Sequence, residues 1–190
     1  MLSLFRPAAV LLALFTALTG MAYPTVLTAI AQFAFPGKSG GSLISERGKV
    51  IGSGLIGQPF NAPEFFWGRP SATQFVPYNA KASGGSNLGT SNFALHEAVK
   101  ARIKALRNAD PENHAPIPVD LVTTSGSGLD PHISPAAAYY QFRRVARHRN
   151  LLEDRVRALV DQHVEDRLLG IWGEPRINVW RLNRALARMK

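Results

Sequence analysis

From Pro7 to Ala31 the chain carries no charged side chain. A helix over those residues reaches about 37 Å, enough to cross a hydrocarbon core of about 30 Å. A chain of 190 residues with one such run near its start is tied to a membrane once and folds the remainder beside it. A secretory signal peptide shares the basic start, here Arg6, and the small residues near Gly20-Met21-Ala22. The apolar run nevertheless continues past Ala22 through Val26, Leu27 and Ile30, and Pro24 would follow closely on the cut. A retained transmembrane helix over 7–31 is therefore expected. Glycine and proline weaken a helix, and lipid tolerates them where a neighbouring helix re-satisfies the backbone. Gly20, Tyr23 and Pro24 are thus candidate packing positions, with a simple proline kink as the competing reading.

The segment 38–190 is long enough for one soluble domain with a real core. The absence of cysteine removes disulfides and thiolate metal sites, and leaves the redox compartment open. The net charge of +9 is concentrated late: from Ala136 onward there are 12 Lys and Arg against 6 Asp and Glu. For a tethered domain such a basic face fits lipid headgroups or a partner subunit better than nucleic acid; a merely solvated helix face is the competing reading. The charges flanking the apolar run, Arg6 before and Lys38, Arg47 and Lys49 after, slightly favour a cytoplasmic C-terminal domain.

Short strands interspersed with helices, without βαβ spacing, predict an α+β domain. Residues 42–60 read as a β-hairpin around Glu46-Arg47-Gly48-Lys49. Phe65-Phe66-Trp67 and Val119–Val122 read as short strands, and 68–92 as a long loop. Leu95, Val99, Ile103 and Leu106 form one stripe of a helix from Phe93 to Asn108, with Asn92 as N-cap. Ser134-Pro135 opens a helix to His148. Asn150 with Glu153 reads as a capping box for a helix running to Leu169. Arg176–Val179 then reads as a last strand before a helix along Leu182, Leu186 and Met189.

The densest polar motif is Thr123-Thr124-Ser125-Gly126-Ser127-Gly128-Leu129-Asp130-Pro131-His132. Ser125, Ser127, Asp130 and His132 supply the residue types of a nucleophilic site, but no Gly-x-Ser-x-Gly elbow is present. An extracytoplasmic, membrane-anchored serine hydrolase using Ser127 and His132 is the alternative reading. The same loop has the glycines of an anion cradle without the Gly-Lys-Ser/Thr ending of a nucleotide loop. Gln141 and Arg144, three apart on the following helix, share a face. Loop and face together are expected to form a polar docking surface for a partner subunit or nucleotide phosphate, with Gln141→Ala altering affinity and not melting. No metal-ligand spacing is visible among the five histidines.

The ordered motifs resemble one family over nearly the whole chain: the C subunit of Kdp-type potassium-transporting P-type ATPases. They are Gly20–Pro24, Gln32–Pro36, Gly41–Ile44, Gly52–Gln58, Gly68–Ala72, Pro77–Asn79 and Ala82–Leu88. Leu121–Thr123, Ser127–Ile133, Arg144–Ala146, Ile177–Val179 and Leu182-Asn183 complete the set. The resemblance implies a non-catalytic accessory subunit of a high-affinity potassium uptake pump in the bacterial inner membrane. Its implied partners are a channel-like potassium-translocating subunit and the P-type ATPase subunit. The implied role is a catalytic chaperone that raises the ATP affinity of the ATPase subunit, ATP entering only through that subunit. The resemblance also places the soluble domain on the periplasmic side, against the small charge margin and away from cytoplasmic ATP.

Overall fold

The computed structural model describes residues 2–46 and 48–189. Arg47 of the expected hairpin turn and Lys190 lie outside the described residues. The chain forms two compact units, residues 1–53 and 54–190.

In the first unit, helices α1 (Leu2–Ala17) and α2 (Tyr23–Ala34) run into each other through a π-turn at Leu18–Ala22. Pro24 explains the π-turn. It has no amide hydrogen, and in an α-helix its ring would press on the Gly20 carbonyl. Widening the turn before it lets the Tyr23 amide donate to the Leu18 carbonyl instead. Leu4–Ala34 is one apolar helix long enough to cross a membrane. Tyr23 is exposed, and a side chain added at Gly20 would meet nothing. A short helix α3 (Pro36–Ser39) precedes an antiparallel hairpin of β1 (Leu43–Glu46) and β2 (Lys49–Ser53).

The second unit is α+β. Helix α4 (Phe93–Ala109) begins at Asn92, whose side chain accepts the Ala94 amide. Helix α5 (Pro135–Arg149) begins at Ser134, whose hydroxyl accepts the Ala137 amide. Helices α6 (Glu153–Gln162) and α7 (Val179–Leu186) follow, α5 packing on α6 and α6 on α7. A small antiparallel sheet has the order β3 (His132–Ile133), β5 (Arg176–Asn178), β4 (Val164–Glu165). Val145 from α5, Val156 and Val160 from α6, Ile177 from β5 and Leu182 and Leu186 from α7 are fully enclosed. Phe66, from a segment without secondary structure, is enclosed with them.

Several expected elements differ. Val119–Leu121 is a 3-10 turn: Pro118 starts it, and Leu121 and Val122 supply burial rather than a ladder. Asn150 adopts the left-handed conformation (φ 53°) and closes α5 instead of capping α6. Helix α6 stops at Gln162, because Val164 and Glu165 pair with β5. Phe65–Trp67 is not a strand; its backbone is paired another way.

Candidate functional site

The segment 62–67 is held by side chains of α5 and α7. The Trp67 amide donates to Gln141 Oε1 at 2.8 Å, and Gln141 Nε2 donates to the Trp67 carbonyl at 3.1 Å. Asn183 does the same for Phe66. Arg144 reaches past Gln141 to the carbonyls of Pro63 (2.6 Å) and Phe65 (3.1 Å), and also donates to Gln141 Oε1 at 2.7 Å. Its guanidinium lies over the Trp67 ring, 4.5 Å from the centroid. Gln141, Arg144 and Asn183 are all buried. Burial pulls the Arg144 guanidinium down to about 10, against the opposing pull of Asp110, Tyr140 and Glu64. Gln141 and Arg144 were expected to offer a docking face; both side chains are instead buried, bonded to backbone and to each other.

The Ser125–His132 loop is a tie point. Its carbonyls accept from three other loops: Leu129 from the Gly57 amide, Gly128 from the Ser71 hydroxyl, and Ser127 from the Gly84 amide. Gly128 sits at φ +68°, and a Cβ there would lie 2.7 Å from the Gly84 carbonyl oxygen and 2.6 Å from Thr73 Cγ2. Three of the loop's amides are used within it. Gly128 donates to the Ser125 carbonyl, Leu129 to the Ser127 hydroxyl and His132 to Asp130 Oδ1. Those three amides are therefore not free to hold an anion. Ser125 is buried, while Ser127 is exposed.

Asp130 is the electrostatic centre. Its Oδ1 meets His132 Nδ1 at 3.0 Å and its Oδ2 accepts from Arg69 Nη1 at 3.3 Å. Burial pushes the Asp130 carboxyl up, but the His132 side-chain and amide hydrogen bonds, with the charges of His132 and Arg69, outweigh it and hold the carboxyl below its ordinary value. Arg69 also donates to the Thr124 carbonyl, and Tyr78 donates to the Arg69 carbonyl at 2.6 Å. Asp130, His132 and Arg69 line an open groove of about 600 Å³ together with Asp120, Glu174 and Arg176. His132 has an orienting carboxylate, as a general base would, but Ser127 accepts the Leu129 amide rather than meeting the imidazole. The nucleophile–base pair of a hydrolase is not assembled, and the hydrolase alternative is not supported. Among the described residues no cluster of three or more His, Asp or Glu could hold a metal ion.

Asn183 and Tyr78 were not singled out from the sequence as structural ties. A signal for Asn183 was there: Val179, Asn183 and Leu186 keep the spacing of one buried helix stripe, with a polar residue in its middle.

A family described as "KdpC: K+-transporting ATPase, c chain" matches residues 5–188. A Potassium-transporting ATPase KdpC subunit of Sorangium cellulosum is 63% identical over 186 residues, covering 98% of each chain. Proteins with the same description from Herpetosiphon aurantiacus, 58% identical, and Methylococcus capsulatus, 57% identical, each cover all of this chain. They are themselves covered over 98% and 100% of their lengths.

Proposed function

The chain belongs to the KdpC family, the c chain of K+-transporting ATPases, and on that premise we propose that it is the non-catalytic accessory subunit of an ATP-driven potassium uptake pump. The end-to-end family match carries the reading. The subunit sits in the bacterial inner membrane by one helix, with its soluble unit on the periplasmic side. It assembles with the potassium-translocating subunit and the P-type ATPase subunit. There it stabilises the complex and raises the ATP affinity of the ATPase subunit, where the nucleotide is bound. Two features support an assembly role over chemistry: the polar loop is spent on internal ties, and His132 has no serine partner. The partner-facing groups are the accessible ones, Ser127, Asp130 and His132, and in the membrane Gly20, Tyr23 and Pro24 pack against a neighbouring helix.

The test is reconstitution. The pure chain should release no phosphate from ATP, and adding it to the other subunits should lower the KM for ATP and restore growth at low potassium. Phosphate release by the chain alone, or a KM indifferent to its presence, would reject the respective half of the proposal.

A further inference from the structure

The β4–β5 hairpin carries an apolar tip that the fold leaves uncovered. Leu168, Leu169, Ile171 and Trp172 are 68, 77, 72 and 63% exposed, four large apolar side chains within five residues. Scattered apolar side chains on a surface are ordinary; a cluster at one projecting turn marks an interaction site. The turn is built to present them. Leu168 and Trp172 pair across the tip by amide-to-carbonyl bonds in both directions, at 2.8 and 3.0 Å, and Ile171 also donates to the Leu168 carbonyl. Leu169 and Gly170 both have positive φ, 54° and 74°. Glycine adopts that conformation freely, whereas a leucine is strained in it and asparagine or aspartate is the common alternative. A strained apolar residue at the apex points to a role outside the fold.

We propose that this tip inserts into the interfacial layer of the lipid bilayer, as a membrane contact additional to the anchor helix. Three observations favour lipid. The tip's amides at Leu168, Gly170, Ile171 and Trp172 are all satisfied within the turn, which an apolar medium requires. The charged collar is neutralised in place: Arg167 pairs with Glu174 at 2.8 Å, and Arg176 with Glu165 at 3.2 Å. Tryptophan and leucine are side chains suited to that depth. A membrane anchor in the same chain raises the effective concentration of the tip at the bilayer, so a small apolar area is enough.

The experiment uses the full chain, without other subunits, in nanodiscs of phosphatidylcholine with a minority of phosphatidylglycerol. Lipid brominated high in its acyl chains is the quencher. The chain has three tryptophans: Trp180 is buried, Trp67 lies beneath Arg144, and none is in the anchor helix, so Trp172 is the one a lipid quencher reaches. The expected result is blue-shifted emission with a component lost to brominated lipid, that component vanishing in Trp172→Phe. The double variant Leu169→Asp, Ile171→Asp should abolish the quenching while leaving the circular-dichroism melt in place, since both side chains are exposed. Water-like Trp172 emission without quenching in the lone chain overturns the proposal, as does quenching that survives the double variant. Shielding that arises only when the other subunits are added also overturns it, and assigns the tip to a protein partner.

Discussion

Asn183 closes both backbone valences of Phe66: its Oδ1 accepts the Phe66 amide and its Nδ2 donates to the Phe66 carbonyl, each at 2.9 Å. Gln141 repeats the arrangement one residue later on Trp67. Two helices thereby do for an irregular segment what a neighbouring strand would do. Phe66 can be fully enclosed without burying an unpaired peptide.

Asn183→Leu keeps the volume and removes the pairing. The Phe66 amide and carbonyl are then left unsatisfied in the core, at a cost of about 1–3 kcal/mol for each unpaired group. The expected loss is about 3 kcal/mol, read by urea denaturation of the full chain in mild detergent. A loss within the range of an ordinary surface substitution, about 0.5 kcal/mol, would contradict the role given to Asn183.

Gln141→Ala should be at least as severe. It strands the Trp67 amide and carbonyl and removes the oxygen that accepts from the buried Arg144 guanidinium. Unpairing a buried polar group costs about 1–3 kcal/mol, more where the group is charged, and for a unit of this size about 3 kcal/mol corresponds to roughly 10 °C in Tm. Thermal melting monitored by circular dichroism decides this, and it reverses the expectation that Gln141 could be changed without affecting stability.

Helices whose ends carry caps were legible in the sequence. Asn92 and Ser134 start α4 and α5 as read, because a side-chain oxygen facing the first free amides is a local interaction. The β1–β2 hairpin was legible because its pairing is local across a short turn, whereas β5 was read from its own composition while its partners β3 and β4 lie elsewhere in the chain. Asn150 was misread because its side chain type suits both an N-cap and a left-handed C-cap, and only the geometry of the α5–α6 joint selects the second. The strand read at Phe65–Trp67 failed differently. Its composition is that of a buried strand, but its partners are amide side chains far away in sequence. Gln141 and Arg144 looked like a surface pair for the same reason: spacing shows that they share a face, not that the face is inward. The family was legible from ordered motifs that single residues do not reveal.

Gly128→Ala tests the loop tie. The added methyl would sit at φ +68° and within 2.7 Å of the Gly84 carbonyl oxygen, a backbone atom that cannot swing away. Separation of the 83–87 and 123–132 loops should follow, with a stability loss of about 2 kcal/mol or more. Hydrogen exchange at the Gly84 amide, which donates to the Ser127 carbonyl, should quicken in the variant. Unaltered protection there would show that the two loops are held by something else.

Tyr78 gives the second unit an alkaline limit. Burial, aided by the Asp130 charge and opposed by Arg69, pushes its phenol up to about 12. The ring packs against Gly57, where a Cβ would fall 2.3 Å from Cε1, and its hydroxyl donates to the Arg69 carbonyl. An unfolded tyrosine ionises near about 10. Between those values the unfolded chain has released the proton and the folded chain has not, so stability falls as pH rises. The contribution is complete below pH of about 10 and is lost progressively up to about 12. Tyr78→Phe should lower stability at neutral pH, by losing the bond to Arg69, and should also flatten the decline across that window. Spectrophotometric titration of tyrosinate supplies the check. The component ionising near 12 should disappear in the variant, and a titration curve unchanged above pH of about 11 would assign that component to another tyrosine.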